Sequence, residues 1–133
     1  MNILVQAPGA FRGFTRLVFG AETGGVNPTG NYPTQYGLLH VRSNRVEGGA
    51  PRTATDVFFQ REDGTVERFI VCDAVAAVPS PSCAHRFLHA GLQVKATYGR
   101  EHLAAWAEIE TEIRSLLERF RTTAGPTPSA AWR

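Results

Sequence analysis

Apolar and polar residues alternate along several short stretches of this chain, and the clearest alternation spans Leu92–Tyr98. The residues of that stretch that face one side are Leu92, Val94, Ala96 and Tyr98. A period of two is typical of a strand with one packed side and one solvated side. Ala84–His89 precedes this stretch and is joined to it by Ala90-Gly91, so the two stretches are predicted to form a β-hairpin.

A second hairpin is predicted from Asp56–Gln60 and Val66–Cys72, because the polar link between them contains Asp63-Gly64. Asp-Gly is one of the residue pairs that favour the tight turns of hairpins. These two hairpins predict an antiparallel sheet in the second half of the chain.

The first half of the chain has weaker patterns. Ile3–Val5 and Phe14–Phe19 are short apolar runs, and partial alternation in the second predicts a strand. Another strand is predicted over Gln35–Arg42. The intervening Gly20–Pro33 and the following Ser43–Thr55 are rich in turn residues and are predicted to be long loops.

One amphipathic helix is predicted from about Arg100 to Thr122. Its apolar positions form a single stripe: Leu103, Trp106, Ile109, Ile113, Leu116, Leu117 and Phe120. The predicted fold is therefore α+β, an antiparallel sheet of about five to seven strands covered by one long C-terminal helix. Residues 1–124 are predicted to form a single domain, and residues 125–133, which begin with Gly125-Pro126, a disordered tail.

Composition narrows the classes of function. The 133 residues carry a net charge of only +2, and the basic residues are dispersed, so nucleic-acid binding is not expected. No apolar run approaches the roughly 20 residues that cross a bilayer, so no membrane span is expected. The first residues lack the basic and apolar regions of a signal peptide, which favours a cytoplasmic protein.

The two cysteines favour a different compartment. Cys72 and Cys83 flank a short proline- and serine-containing segment, and a disulfide there would stabilise the fold by roughly 3 kcal/mol. That interpretation favours an oxidising compartment such as the bacterial periplasm. Two buried free thiols and a metal site that adds His85 and His89 are the alternatives. The cysteine spacing is unlike that of a zinc knuckle, so no metal site is predicted.

No nucleotide-binding, hydrolase or metalloprotease motif is present, and the histidines are dispersed. We therefore expect no enzymatic activity and no cofactor. Aromatic residues and arginines of the predicted loops are the candidates for contact with a protein partner, because tyrosine and arginine are favoured interface anchors. These candidates are Phe11, Arg12, Tyr32, Tyr36, Arg42 and Arg45.

Several segments together resemble a family of small bacterial proteins associated with type VI secretion loci. They are Thr55–Phe59, Asp63-Gly64, Phe69–Cys72, Pro79–Phe87, and Tyr98-Gly99-Arg100 before Leu103 and Trp106. The resemblance covers roughly residues 55 to 122 and implies an immunity or accessory factor in the periplasm or at the inner membrane. The chain departs from that expectation because it has no visible signal or anchor.

These observations lead to two main hypotheses, with a small hydrolase as a third that would require a cleft of converging polar groups. The first is a non-enzymatic binding protein that resembles an immunity protein and neutralises a secreted toxin by direct contact, in a toxin–antitoxin-like pair. The alternative is a structural or accessory component of a secretion or envelope assembly, which would use its helix or a sheet edge to assemble.

Overall fold

The structure, a computed structural model, describes residues 1–6, 16–47, 50–62, 65–75 and 79–124. The chain divides into two compact units, Met1–Glu101 and His102–Arg133. The first unit contains a β-sheet and a short helix, and the second contains the C-terminal helix. The predicted single domain over 1–124 stays a prediction, and the predicted disordered tail lies outside the described residues.

The sheet of the first unit has seven strands in the order β1-β7-β6-β5-β4-β3-β2, and every neighbouring pair is antiparallel. The strands are β1 (Asn2–Gln6), β2 (Thr34–Gln35), β3 (Leu38–Glu47), β4 (Ala50–Glu62), β5 (Thr65–Asp73), β6 (Ser82–His89) and β7 (Leu92–Gly99). The predicted α+β class, with an antiparallel sheet and a C-terminal helix, is confirmed.

Both predicted hairpins are present. β4 and β5 pair as far as Glu62 and Thr65, and the turn residues 63 and 64 lie outside the described residues. β6 and β7 are joined by Ala90 and Gly91, which have φ angles of 49° and 80°. Two consecutive positive φ angles are the mark of a type I′ turn, whose twist matches that of the flanking strands.

Both faces of the central strands are buried, because Val57, Phe58 and Phe59 are consecutive in β4 and all have 0% exposure. Val57 and Phe59 point to the face on which helix α1 (Arg16–Thr23) packs, which we call the α1 face. There the ring of Phe19 lies 4.9 Å from that of Phe59 and 5.3 Å from that of Phe69. Alternating burial on two sides explains why this stretch of β4 has a continuous apolar run.

The opposite face of the sheet, which we call the disulfide face, carries the strand residues whose side chains point away from α1. Phe58 pairs across the ladder with Ile70, and Cys72 pairs with Cys83. All four of these side chains are buried. Among the described residues, the buried polar side chains of the disulfide face are Asp56 and His85, and those of the α1 face are Thr23 and Thr55.

The strand predicted over Phe14–Phe19 is wrong within the described residues, because Arg16–Thr23 forms helix α1. The alternating run is too short to distinguish the two-residue period of a strand from the 3.6-residue period of a helix. In the helix, Phe19 and Thr23 are four residues apart, so both reach the buried side. The Thr23 hydroxyl donates to the Phe19 carbonyl at 2.7 Å, and the Val26 amide donates to that hydroxyl at 3.3 Å.

The loop predicted over Ser43–Thr55 is also wrong. β3 continues to Glu47 and β4 begins at Ala50, and their ladder runs the whole way with one irregularity between Asn44 and Val46. Pairing the two segments provides backbone hydrogen bonds that a long loop would have to make to water. The strand predicted over Gln35–Arg42 is interrupted instead by a turn at Tyr36 and Gly37.

The second unit contains most of the predicted helix. A 3₁₀ helix, Arg100–Ala105, leads into α2 (Trp106–Ala124). Within the stripe Leu103 and Ile113 are buried, whereas Leu116 and Phe120 are exposed. Arg114 donates to Glu110 at 2.7 Å, as their spacing predicts. That the helix covers the sheet stays a prediction. Among the described residues, no helix is long and apolar enough to cross a membrane.

Candidate functional site

Asp56 is the buried centre of a partly exposed polar cluster on the disulfide face. It lies on β4, between Arg42 of β3 and Cys72 of β5 in the ladder, and is 1% exposed. Its Oδ1 lies 2.9 Å from His40 Nε2 and accepts from Arg42 Nε at 2.8 Å. Its Oδ2 accepts from Arg100 Nη1 at 2.6 Å. The carboxylate therefore has three hydrogen-bonding residues from two segments, His40 and Arg42 from β3 and Arg100 from the start of the 3₁₀ helix.

This arrangement keeps Asp56 ionised. Burial by itself would raise the pKa of the carboxyl group, but the hydrogen bonds from His40, Arg42 and Arg100 outweigh it. The pKa of Asp56 falls from 3.8 to about 2. One carboxylate faces two guanidinium groups, so the cluster keeps an excess positive charge at neutral pH.

Arg100 also connects the cluster to the neighbouring strand. Its Nη1 donates to the Asp73 carbonyl at 2.5 Å as well as to Asp56. Its backbone amide donates to the Pro81 carbonyl at 3.0 Å, just beyond the β6–β7 ladder. Arg100, which directly follows the end of β7, therefore links the middle of β4 to the end of β5.

Phe58 supports the aromatic part of the site. The His40 ring stacks on Phe58 with centroids 4.6 Å apart and an angle of 9° between the planes. The Tyr36 ring lies 5.8 Å away, and the Arg100 guanidinium lies 6.0 Å from the same ring. The rings of Tyr36 and His40 thus both pack on the buried ring of Phe58, and His40 also contacts Asp56.

Tyr36 has an unusual backbone conformation. It is 42% exposed and has a φ angle of 57°, followed by 77° at Gly37, in the type I′ turn between β2 and β3. The first position of such a turn favours asparagine, aspartate or glycine, and a large side chain is strained there. Strain of this kind often accompanies function when the exposed side chain is needed at that position.

The exposed residues of this region form what we call the β3 patch: Tyr36, His40 and Arg42. Arg42 is 60% exposed on its side chain, although its guanidinium is held by Asp56. His40 is 25% exposed and fixed between Phe58 and Asp56. The β3 patch therefore presents an aromatic ring, an imidazole and a guanidinium in positions set by buried neighbours.

The β3 patch adjoins an open strand edge. β3 pairs with the short β2 only at Leu38 and Leu39. The His40 amide donates outward to the Pro33 carbonyl at 2.9 Å, so the alternate residues Arg42 and Asn44 also direct their backbone groups outward. Within the described part of the chain, no strand pairs with β3 on that side beyond Leu39.

Two of the predicted contact residues, Tyr36 and Arg42, come together in the β3 patch. Tyr32 does not join them, because its ring packs 5.8 Å from Phe59 on the α1 face and its hydroxyl donates to the Asn27 carbonyl. Phe11 and Arg12 lie outside the described residues, as does the side chain of Arg45.

His40, Asp56, Phe58 and Arg100 were not predicted to be site residues. A weak signal was present, because His40 and Arg42 are two apart on one strand, as are Asp56 and Phe58 on the next. Residues at that spacing share a face of the sheet. The β3–β4 register, which brings the two pairs together, is not visible in the pattern.

The predicted disulfide between Cys72 and Cys83 is confirmed, with Cα atoms 4.0 Å apart. The two residues are directly opposite in the β5–β6 ladder, where neighbouring strands already bring the side chains together. The alternatives of free thiols and a cysteine-containing metal site are therefore wrong. Among the described residues, no group of three or more histidine, cysteine or acidic side chains is placed to hold a metal ion.

A cavity of about 220 Å³ lies on the α1 face, over β5, β6 and β7. Its lining contains both acidic and basic side chains: Glu22, Asp73, Arg86 and Lys95. The Arg86 guanidinium lies 3.4 Å from the Glu22 carboxylate, so one of the two basic side chains that line the cavity already has an acidic partner. Because the cavity is lined by two acidic and two basic side chains, its charge favours neither an anionic nor a cationic ligand.

Comparison of the chain with protein families, with curated proteins and with solved structures gave no match. The assignment of function therefore depends on the geometry of the chain itself.

Proposed function

We propose that this chain is a non-enzymatic binding protein of the immunity type, which neutralises a secreted bacterial toxin by direct contact through the β3 patch. The observation that carries the proposal is the strained, exposed conformation of Tyr36. Asparagine at this position would fit the turn better, so retaining tyrosine there costs stability. A need for the Tyr36 ring in contact with a partner would explain why this loss of stability is tolerated.

The chemistry of the patch supports protein contact. Tyrosine and arginine are the residues that most often dominate binding energy at interfaces. Arg42 is held by Asp56 before any partner arrives, so less side-chain entropy is lost on binding. Binding then depends on shape and charge, with no bond made or broken.

The partner surface that fits best is acidic. Arg42 and Arg100 outnumber Asp56 in the cluster, so a carboxylate of the partner would meet excess positive charge. The open backbone groups of Arg42 and Asn44 also allow an extended segment of the partner to pair with β3. We propose that the toxin presents an acidic segment at this edge.

Calorimetric titration tests the proposal, with the purified product of each reading frame that adjoins the gene for this chain. We expect a one-to-one complex that weakens about tenfold or more for Tyr36→Asn. The matched control is Val75→Asn, because Val75 is exposed in the same unit and lies outside the patch. Absence of a complex, or equal weakening by both variants, would contradict the proposal.

We also propose the periplasm as the compartment. The disulfide is compatible with an oxidising environment, and its two sulfurs are buried. Alkylation of thiols under denaturing, non-reducing conditions immediately after lysis of the native cells, followed by mass spectrometry, should find Cys72 and Cys83 unlabelled. Complete labelling of both would place the protein in a reducing compartment.

The second candidate function is an accessory component of a secretion or envelope assembly. The observation that favours it is the apolar edge strand β1, where Ile3, Leu4 and Val5 are all exposed. Assembly into species larger than a dimer, with no toxin bound, would favour this function. A chain that binds a toxin and forms nothing larger than a dimer would exclude it.

A further inference from the structure

Strand β1 is an uncharged strand at one edge of the sheet. Within the described residues it pairs with β7 alone. Leu4 is 52% exposed, and Ile3 and Val5 are each 39% exposed. Edge strands of soluble proteins usually carry a charge, a proline or a bulge that prevents pairing with another strand. β1 has none of these features along Asn2–Gln6.

The register determines which backbone groups of β1 are open. The type I′ turn at Ala90 and Gly91 makes His89 and Leu92 a hydrogen-bonded pair, so alternate residues from Leu92 bond to β6. The intervening Lys95 then bonds to β1, opposite Leu4. It follows that Ile3 and Val5 direct their amide and carbonyl groups away from the sheet.

We propose that two copies of this chain associate by antiparallel pairing of β1 with β1, around a two-fold axis at Leu4. Ile3 of one copy then pairs with Val5 of the other, and the reverse, which makes about four backbone hydrogen bonds. The two Leu4 side chains meet on the α1 face, and the Ile3 and Val5 side chains meet on the disulfide face. One continuous sheet crosses both copies.

A second copy is the occupant that the strand fits best. Exchange of Ile3 and Val5 across the axis places an apolar side chain opposite an apolar side chain at the three central positions of β1. No charge of β1 opposes this arrangement. The other long edge, β3, carries the charged residues Arg42, Arg45 and Glu47 in its sequence, and charges on an edge strand hinder its pairing with another strand. Self-pairing is therefore specific to β1.

The contact is small, so the association is expected to be weak, reversible and dependent on concentration. It does not depend on the function proposed for the β3 patch, because that patch lies at the opposite edge of the sheet. Failure of toxin binding would leave this proposal unaffected, and the reverse also holds.

Cysteine crosslinking tests the register. In the proposed pair Leu4 faces Leu4 at a position without backbone hydrogen bonds, where Cα atoms are about 4.5 Å apart. Leu4→Cys should therefore give a disulfide-linked dimer on mild oxidation, at a yield about tenfold above that of the matched Ile3→Cys. Equal yields, or a higher yield for Ile3→Cys, would overturn the pairing around Leu4.

Charge exchange at Leu4 provides the second test, by sedimentation equilibrium at about 10 to 500 µM protein. Leu4→Lys and Leu4→Glu should each be monomeric, because like charges would face each other, and an equimolar mixture should form dimers. Val75→Lys, an exposed substitution in the same unit, should associate as the wild type does. A monomeric wild type, or a mixture that stays monomeric, would refute the proposal, and thermal unfolding of each variant checks that it is folded.

Discussion

Replacement of Asp56 by asparagine should remove a defined part of the stability of the first unit. The pKa of Asp56 is about 2 in the folded protein, against 3.8 for the ordinary carboxyl group. That difference corresponds to about 2 kcal/mol in favour of the folded state when the group is ionised. Asp56→Asn should therefore lower the free energy of unfolding at pH 7 by about 2 to 3 kcal/mol, because it leaves Arg42 and Arg100 without a carboxylate.

The pH dependence follows from the sign of the shift. The folded pKa lies below the unfolded value, so the contribution of Asp56 is complete above about pH 4 and is lost as the pH falls towards 2. The difference in stability between wild type and Asp56→Asn should close over that range. Urea unfolding followed by circular dichroism at pH 7, 5, 4 and 2.5 measures it.

Asp73→Asn is the matched control on the neighbouring strand. The Asp73 carboxylate accepts from the Ser82 amide and hydroxyl in an exposed position, so its loss should change stability by about 1 kcal/mol or less. Equal stability of Asp56→Asn and wild type at pH 7 would refute the account of the cluster. So would a difference between them that stays constant down to pH 2.5.

Three further predictions concern the disulfide and the β2–β3 turn. Replacing Cys72 and Cys83 together by alanine should lower the free energy of unfolding by about 3 kcal/mol, measured by urea unfolding, because the closed loop no longer limits the unfolded chain. Gly37→Ala should lower the melting temperature, because alanine is strained by about 1 kcal/mol at the Gly37 φ angle of 77°. Steric overlap adds nothing to this cost, since no atom lies within 4 Å of the added Cβ. Tyr36→Asn should raise the free energy of unfolding by about 0.5 to 1 kcal/mol, and a loss of stability would contradict the strain argument.

The parts of the fold that follow from local patterns were predictable. Ala90-Gly91 and Asp63-Gly64 identified two hairpins, because turn residues between apolar stretches are a short-range signal. The amphipathic spacing identified the C-terminal helix, and the cysteines flanking one short segment identified the disulfide. Each of these elements depends on residues close together in sequence.

The candidate site depends on long-range register, which sequence patterns do not show. Asp56 meets Arg42 across 14 residues and Arg100 across 44. The turn at Tyr36 was missed for a different reason, since tyrosine is a strand-forming residue and its positive φ contradicts that preference. Because Ser43–Thr55 was predicted to be a loop, the long β3–β4 ladder that carries the site was not predicted.

Growth protection is the most direct test of the central claim that this chain neutralises a toxin through the β3 patch. Cells that export to the periplasm a toxic product of an adjoining reading frame should survive when they also export this chain, and should die when it carries Tyr36→Asn. Val75→Asn, exposed outside the patch, should protect as well as the wild type. Death of cells that carry the wild-type chain, or full protection by Tyr36→Asn, would contradict the claim.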